Sequence, residues 1–421
     1  MNVVELFSGI GSQVKALKKV SEAYGFDIDV VKTCEWDIHA VIAYDLIHNG
    51  NTLLEKTRLM SKEQLISDLL PRNLSSDGKT PISPRTITSM NHDLLSALHT
   101  AIERTANLIN VSDVNDTELP DNVDLLTYSF PCQDLSNVGA FHGYTRGIDR
   151  NAKTRSGLLW EVERILNERR ASGRRLPRYL LLENVAALNS KRHQANFKSW
   201  QDSLESLGYV NHLYMMQAQS FGIPQNRTRL LMLSVQSDGN AKQHAYLQSY
   251  LEGHDFTEKT LRFGHRDSEL KDFLRLDYDN PILMEEAKSA QPNDTESRRK
   301  IWRDNLVVAD KNGNITKRIG TLTTKQDRHP NSGNIYFQTG EGKSDYRFLT
   351  PRECFLLMGF DEKDFEKLKK SDLRLDRGTV FFSRDKMYRL TGNSIVVNVL
   401  EAVFEIVALL ERDYFNRPRP S

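Results

Sequence analysis

Cys132 is the residue in this sequence best placed for covalent chemistry. It sits in Ser129-Phe130-Pro131-Cys132-Gln133, directly after a run, 123–128, that reads as a strand. A lone cysteine is more often a buried small hydrophobe, but the polar flanks and the preceding proline argue here for an exposed, held thiol. Its free pKa, near ~8.5, would have to be lowered locally to give a nucleophilic thiolate. Two further groups stand at the mouths of apolar runs. Glu183 follows Leu180-Leu181-Leu182 and opens Glu183-Asn184-Val185; by itself it could equally be a capping acid. Gln225-Asn226-Arg227-Thr228-Arg229 leads into Leu230-Leu231-Met232-Leu233. Period-two geometry puts Gln225, Arg227 and Arg229 on one face of a strand, where arginines pair with carboxylates or hold anions.

A second constellation has ligand-holding rather than reactive character. Phe7-Ser8-Gly9-Ile10-Gly11-Ser12 is a glycine turn between a strand and a helix, which lets backbone approach a ligand closely. It lacks the third glycine of the dinucleotide form, so an adenosyl ligand without phosphates fits it better than NAD. Glu35 ends the next expected strand, the usual place for an acid on ribose hydroxyls, or for a helix cap. Trp36 could stack on an adenine ring or belong to the core.

The elements that must position these residues alternate. Strands are expected at 2–7, 28–34, 123–128, 178–182 and 229–235, with helices at about 12–24, up to about 48, and 156–170. Such alternation predicts an α/β fold, Rossmann-like with a mostly parallel sheet. Every motif above then falls at the carboxyl ends of strands or just beyond, the edge where open α/β sheets bind ligands. Residues 50–90 interrupt the pattern and read as a surface insertion, with Ser61 capping a helix from Lys62 to Leu70. From about 236 to 345 polar, Gly/Asn-rich stretches with short strands such as Ile335-Tyr336-Phe337 predict a smaller loop-rich domain. The segment 394–410 reads as an apolar helix.

At 421 residues, 39% hydrophobic and 27% charged, the chain suits two domains. No run of about 18 apolar residues is evident, so no membrane span is expected. The N-terminus goes straight into a strand, so no signal peptide is expected. Cys34, Cys132 and Cys354 are scattered, with neither disulfide nor zinc spacing, so no metal is expected, and a reducing, cytoplasmic setting fits. The net charge of +1 excludes a chain that coats nucleic acid nonspecifically. Nucleic-acid contact would have to come from local patches. Residues 142–155 carry Arg146, Arg150, Lys153 and Arg155 against Asp149, and 311–352 carry eight Lys/Arg against three Asp/Glu. Either patch alone reads more readily as a solvated loop.

In order, Phe7-x-Gly9-x-Gly11, Glu35-Trp36, Pro131-Cys132-Gln133, Ser156-Gly157-Leu158, Glu183-Asn184-Val185, Gln225-x-Arg227-x-Arg229, Arg352-Glu353-Cys354 with Met358-Gly359-Phe360, and Gly392-Asn393-Ser394 resemble the motifs of the cytosine-C5 DNA methyltransferase family, of the bacterial or phage restriction-modification type. The resemblance implies methyl transfer from S-adenosyl-L-methionine, leaving S-adenosyl-L-homocysteine, to C5 of a flipped-out cytosine in double-stranded DNA. It implies that Cys132 is the nucleophile, that Glu183 and Arg229 hold the base, and that Arg227 supports the site. Phe7, Gly9, Gly11, Glu35, Trp36, Asp93, Pro131, Asn393 and Ser394 would hold the cofactor, the match around Asp93 being looser. Gln133, Ser136, Val138, Arg146, Arg155, Thr321, Leu322, Lys325 and Arg328 would face DNA, with Val138 or Phe141 filling the space the base leaves and 133–155 acting as a lid. Residues 1–235, completed by 385–421, would form the catalytic domain, and 236–384 the target-recognition domain and hinge. A cognate restriction endonuclease acting separately, and a monomeric working state, are also implied. A tRNA cytosine-C5 methyltransferase is the alternative, disfavoured by the long 236–345 segment. A non-catalytic binding module is disfavoured by intact Cys132, Glu183 and Arg229.

Overall fold

In this computed structural model, residues 1–132, 134–135, 147–150, 155–237, 239–254, 256, 261–340, 342–375 and 378–415 are described. They fall into two compact units: Met1–Met216 with Thr228–Arg262 and Leu400–Ser421, and Gln217–Arg227 with Phe263–Val399.

The first unit is built on six strands, β1 (Asn2–Leu6), β2 (Asp29–Cys34), β3 (Leu125–Tyr128), β4 (Tyr179–Val185), β5 (Tyr209–Gln217) and β6 (Thr228–Gln236), in the order β2-β1-β3-β4-β6-β5. β2, β1, β3 and β4 run parallel and β6 runs antiparallel to β4. The expected mostly parallel α/β sheet is therefore present. Strands buried on both faces read as continuous apolar runs rather than alternations, which is why β1, β3 and β4 stand out in the sequence. β5, YVNHLYMMQ, mixes polar and apolar residues and follows the burial pattern BBiiiBeBe; it was not among the expected strands. Val4, Leu6, Leu126, Tyr128, Leu180, Leu182, Leu230 and Met232 share one core with residues of the helices Leu159–Ala171 and Gln194–Ser206, including Val162, Ile165, Phe197 and Trp200. Trp200 is fully buried and donates its indole N–H to the Tyr128 hydroxyl at 3.2 Å. Its truncation would cost on the order of 3–5 kcal/mol.

The reading of 50–90 as a surface insertion is corrected in part. Ser61 and Gln64 do form a capping box on the helix Lys62–Leu69. The segment nevertheless buries Leu65, Leu69, Leu74 and Ile87, and Arg72 bonds Glu103 at 3.0 Å on the helix His92–Arg104. It is an integral layer over that helix.

In the second unit β7 (Val307–Ala309), β8 (Asn334–Tyr336) and β9 (Tyr346–Phe348) form a small sheet, β7 parallel to β8 and β8 antiparallel to β9. Ile301, Tyr346 and Phe348 make its apolar cluster, with Trp302 stacked on Tyr346 at 5.0 Å. A salt bridge lies at its base. Arg347 and Glu353, both fully buried, meet at 2.8 Å in a two-pronged pair. Glu353 also completes the capping box of the helix Pro351–Leu356 with Thr350. Arg352 bonds Glu286 at 2.8 Å and Glu362 at 2.5 Å. Arg347 and Arg352, counted above in a basic patch, are thus buried in ion pairs and contribute nothing to the surface.

The apolar C-terminal segment forms the helix Val397–Leu410. It continues a helical stretch, Arg384–Phe415, that by length and composition could cross a membrane, contrary to the expectation from apolar runs; 83% of its apolar window is buried inside the protein, as in a core helix.

Candidate active site

The glycine turn and its acid come first, because β1 and β2 are neighbours. β1 ends at Leu6, and Phe7 takes φ +58°, a conformation that non-glycine residues rarely adopt and that marks strain held by its surroundings. Gly11 has φ +78°, and a side chain there would run into His48 and Tyr44. Glu35, just past β2, accepts from the backbone N–H of Gly9 (3.1 Å), Trp36 (2.9 Å) and Asp37 (2.9 Å). Burial of this carboxyl, with Asp37 adding repulsion, pushes its pKa up to about 7. Beneath the turn Glu5 is fully buried, accepting from Val14 N–H at 3.0 Å and from the Tyr44 hydroxyl. Burial raises its pKa to about 7 as well.

Sequence reasoning missed the group that fixes Glu35 from the side. Asn107 Oδ1 accepts from Glu35 N–H at 2.9 Å and Asn107 Nδ2 donates to the Glu35 carbonyl at 2.8 Å. Around it Ala106 and Ile109 have φ of +44° and +64°, and a β-branched residue in that region is a genuine outlier. Asp93, the residue expected near the cofactor's base, stands exposed on the first turn of the helix His92–Arg104. The segment that lies against the end of β2 is 105–109.

The stretch before Cys132 is held from three elements. Gln13, on the helix that follows the glycine turn, donates to Ser129 Oγ at 3.0 Å and accepts from the Thr127 hydroxyl. Asn184, at the end of β4, donates to the Phe130 carbonyl at 3.0 Å. Ser156 donates to the Pro131 carbonyl at 2.6 Å, while the Asp134 N–H donates to Ser156 Oγ at 3.3 Å. The Leu135 N–H then closes a turn on the Cys132 carbonyl at 3.0 Å. Cys132 itself is half-buried, whereas Cys34 and Cys354 are buried, and burial pushes both of their thiols up. Asn184 and Ser156 belong to motifs visible in the sequence; Gln13 had no signal beyond its place after the glycines.

Parallel pairing of β3 with β4 brings Glu183 to the same edge as the Cys132 segment, and antiparallel pairing brings the start of β6 there too. Glu183 lies within β4 rather than after it. Arg229 pairs with Val185, so its side chain shares the sheet face of Glu183, and Arg229 Nε lies 3.2 Å from Glu183 Oε1. Both side chains keep some exposure, 17% and 10%. A carboxylate and a guanidinium thus converge, part-exposed, at the strand edge that the Cys132 segment follows.

The expectation that Gln225, Arg227 and Arg229 line one strand face is overturned. β6 begins at Thr228, and Gln225–Arg227 is a tight turn with the Arg227 N–H on the Gln225 carbonyl at 2.9 Å. Both residues are buried in the second unit. Arg227 donates to the carbonyls of Leu322 (3.0 Å) and Ser394 (2.8 Å). Gln225 donates to the Leu357 carbonyl and accepts from Leu322 N–H, both at 2.9 Å. Leu322 is therefore buried, 2% exposed, where it was expected to face DNA, and the Thr321 hydroxyl bonds the Asn226 carbonyl. Gly392, in the last turn of the helix Arg384–Asn393, lies hard against Thr323 and Thr324, where any side chain would meet backbone. Next to it Asn393 is exposed and Ser394 buried. Lys325 and Arg328 are exposed, and Trp36, Pro131 and Arg155 half-buried. Arg150 is spent on Glu163, at 2.7 Å, and on the face of Trp160. Gln133, Ser136, Val138, Phe141 and Arg146 lie outside the described residues.

Comparison with known proteins gives a consistent result. The family model described as C-5 cytosine-specific DNA methylase matches residues 89–408. The chain is 30% identical over 408 residues to the orphan methyltransferase M.SssI of Spiroplasma monobiae, covering 96% of each. It is 30% identical over 415 residues to the type II methyltransferase M2.ScrFI of Lactococcus lactis subsp. cremoris, covering 96% of this chain and 98% of that one. Among solved structures, the Dnmt2 methyltransferase of S. pombe superposes with a TM-score of 0.57 at 17% identity, over 98% of this chain and 99% of that one. At that identity the likeness concerns the fold.

Proposed function

This chain belongs to the C-5 cytosine-specific DNA methylase family and is a DNA (cytosine-5-)-methyltransferase, and we propose that Cys132, Glu183 and Arg229 carry its reaction. The observation that supports this most is the 3.2 Å approach of Arg229 to Glu183 on one sheet face, at the same strand edge as the bracketed Cys132 segment.

C5 of cytosine is a weak nucleophile, so the enzyme must add electron density to the ring. The Cys132 thiolate adds to C6, which makes C5 enamine-like. Glu183 bonds N3 and the exocyclic amino group and holds a proton at N3 as the thiolate adds. Arg229 bonds O2 and stabilises the charge that develops there. After methylation the C5 proton leaves, the electron pair re-forms the C5–C6 double bond, and the thiolate departs. Because a duplex hides C6, the base is flipped out of the stack.

The methyl donor we assign is S-adenosyl-L-methionine, which when bound supplies an electrophilic sulfonium methyl. The glycine turn fits it: at Gly9 nothing beyond its own neighbours in the chain comes within 4 Å of where a side chain would begin, leaving open space above the backbone. Glu35 would accept from the ribose hydroxyls and Trp36 would lie against the adenine, with Phe7, Gly9, Gly11 and Pro131 shaping the site. Asn393 and Ser394 would also contact the cofactor, and Arg227 would secure their segment through the Ser394 carbonyl. Residues 1–235 with 385–421 would serve catalysis and 236–384 target recognition, Lys325 and Arg328 among the DNA contacts. A monomer working in the cytoplasm, as an orphan or beside a separate restriction endonuclease, fits this reading.

The test uses duplex DNA carrying 5-fluorocytosine at the methylated site. Fluorine occupies the place of the departing proton, so elimination stalls. The expected product is a protein–DNA adduct that survives denaturation, requires S-adenosyl-L-methionine and maps to Cys132. Trapping on 5-fluorocytosine RNA but not on duplex DNA would overturn the DNA assignment; no adduct on DNA that the protein methylates would overturn Cys132.

A further inference from the structure

In the second unit a cavity of about 760 Å³ is lined by Lys288, Arg298, Lys343 and Arg384, with Asp327 the one carboxylate among its lining residues. Four cations against one anion is a marked local excess in a chain whose net charge is only +1. Elsewhere in this unit arginines are neutralised: Arg347 by Glu353, Arg352 by three glutamates. Two of the cavity's cations, Lys343 and Arg384, are instead held by neutral groups, while Arg298 also lies 3.6 Å from the half-exposed carboxylate of Asp327. Lys343 Nζ donates to Asn293 Oδ1 at 2.7 Å, Arg384 donates to the Ser289 carbonyl, and Arg298 donates to the Asp327 carbonyl. Arg384 lies 3.6 Å from the largely exposed carboxylate of Asp385. The floor is ordered: Phe348 is buried, and Gln291 is buried with its amide bonded to the carbonyls of Phe337 (3.1 Å) and Ser344 (2.8 Å). With one carboxylate among the lining residues of a cavity that carries four cations, the surplus positive charge is arranged for an anion brought from outside. A base edge would call for a mixed pattern of donors and acceptors; an excess of cationic donors suits a phosphodiester.

We propose that this cavity seats a backbone phosphate of the duplex, with Lys288 and Lys343 as its principal contacts, an inference that rests on the DNA substrate assigned above. Phosphate contacts fix register without reading sequence, so the site would hold the recognition region on DNA whatever its target. The full-length Lys288→Gln/Lys343→Gln variant changes two exposed side chains, and Lys363→Gln/Lys370→Gln, outside the cavity, removes the same charge. Binding is measured by fluorescence anisotropy from low to high NaCl, on a duplex that the protein methylates and on an unrelated duplex. Each lost phosphate contact lowers the slope of log affinity against log salt by about 0.9. The cavity variant is therefore expected to lose about two units of slope, and roughly tenfold to a hundredfold in affinity near 0.1 M salt, equally on both duplexes, with kcat unchanged at saturating DNA. Unchanged slope and affinity, an equal loss in the control variant, or a loss confined to the methylated sequence would each overturn the proposal. A wild-type protein that neither binds nor methylates duplex DNA would overturn the underlying reading instead.

Discussion

Two arginine–glutamate pairs divide the molecule's labour. Arg347 and Glu353 are fully buried and joined by two bonds of 2.8 Å; burial works against the charged guanidinium, but the charge and hydrogen bonds of Glu353 outweigh it and push its pKa up. Arg229 and Glu183 approach to 3.2 Å and keep part of their surface open. The first pair is complete without a ligand and locks a helix cap to β9. The second keeps part of both side chains open, as a site for a polar ring requires. The two pairs differ in burial more than in charge.

The sharpest break between the two regions comes from Cys132→Ala. It should reduce methyl transfer below detection while the melting temperature and S-adenosyl-L-methionine affinity, by calorimetry, stay near wild type. Comparable turnover would remove the proposed nucleophile. The two glutamates give a paired test. Glu353→Gln leaves a buried guanidinium uncompensated and should cost on the order of 3–5 kcal/mol of stability, read by urea unfolding. Glu183→Gln should cost about a hundred- to a thousandfold in kcat and less than about 1 kcal/mol in stability. If Glu183→Gln unfolds the protein while Glu353→Gln does not, the contrast is misdrawn.

A smaller effect is expected at Asn107. Asn107→Ala removes two bonds to the Glu35 backbone and should weaken S-adenosyl-L-methionine binding by about 1–2 kcal/mol, with kcat at saturation little changed. A fall in kcat with unaltered binding would instead place Asn107 in the chemistry.

What the sequence made legible follows the same division. The placement of Cys132, Glu183 and Glu35 near the ends of strands could be read because a buried parallel strand announces itself as an apolar run. Gln225 and Leu322 were misplaced because their side chains follow a turn that no periodicity encodes: only Thr228 separates Arg227 from Arg229, yet β6 starts there. Thr321-Leu322 reads as an exposed pair, but Gln225 and Arg227 hold the Leu322 backbone from both sides. Asn107 was invisible because its role depends on backbone strain at Ala106 and Ile109, which only tertiary structure imposes. The cations of the second unit were counted correctly and sorted wrongly, since composition does not distinguish Arg347, buried against Glu353, from Lys343, held by Asn293.

The smallest expected effect is one of pH, and it tests whether Glu35 is a ligand group or a cap. Burial and the nearby Asp37 raise its pKa to about 7 from an ordinary 4.5, against three opposing backbone bonds. A folded-state pKa above the unfolded value means that the folded protein holds this proton more tightly. The contribution of Glu35 to stability is thus greatest at low pH and is lost as pH rises from about 4.5 through 7. Glu5, also raised to about 7 by burial, acts in the same direction. The ligand-free protein should therefore lose stability across that window. Binding should run the opposite way, because ribose hydroxyls are held better by a carboxylate than by a carboxylic acid. S-adenosyl-L-methionine affinity should rise with pH up to about 7 and level off above it, with a slope of at most tenfold per pH unit, as for one proton released. Glu35→Gln should weaken binding and flatten this profile, with Glu5 left intact as the internal control. A profile that persists unchanged in Glu35→Gln would assign the pH dependence to Glu5 and reduce Glu35 to an acid that merely caps the Trp36–Asp37 turn.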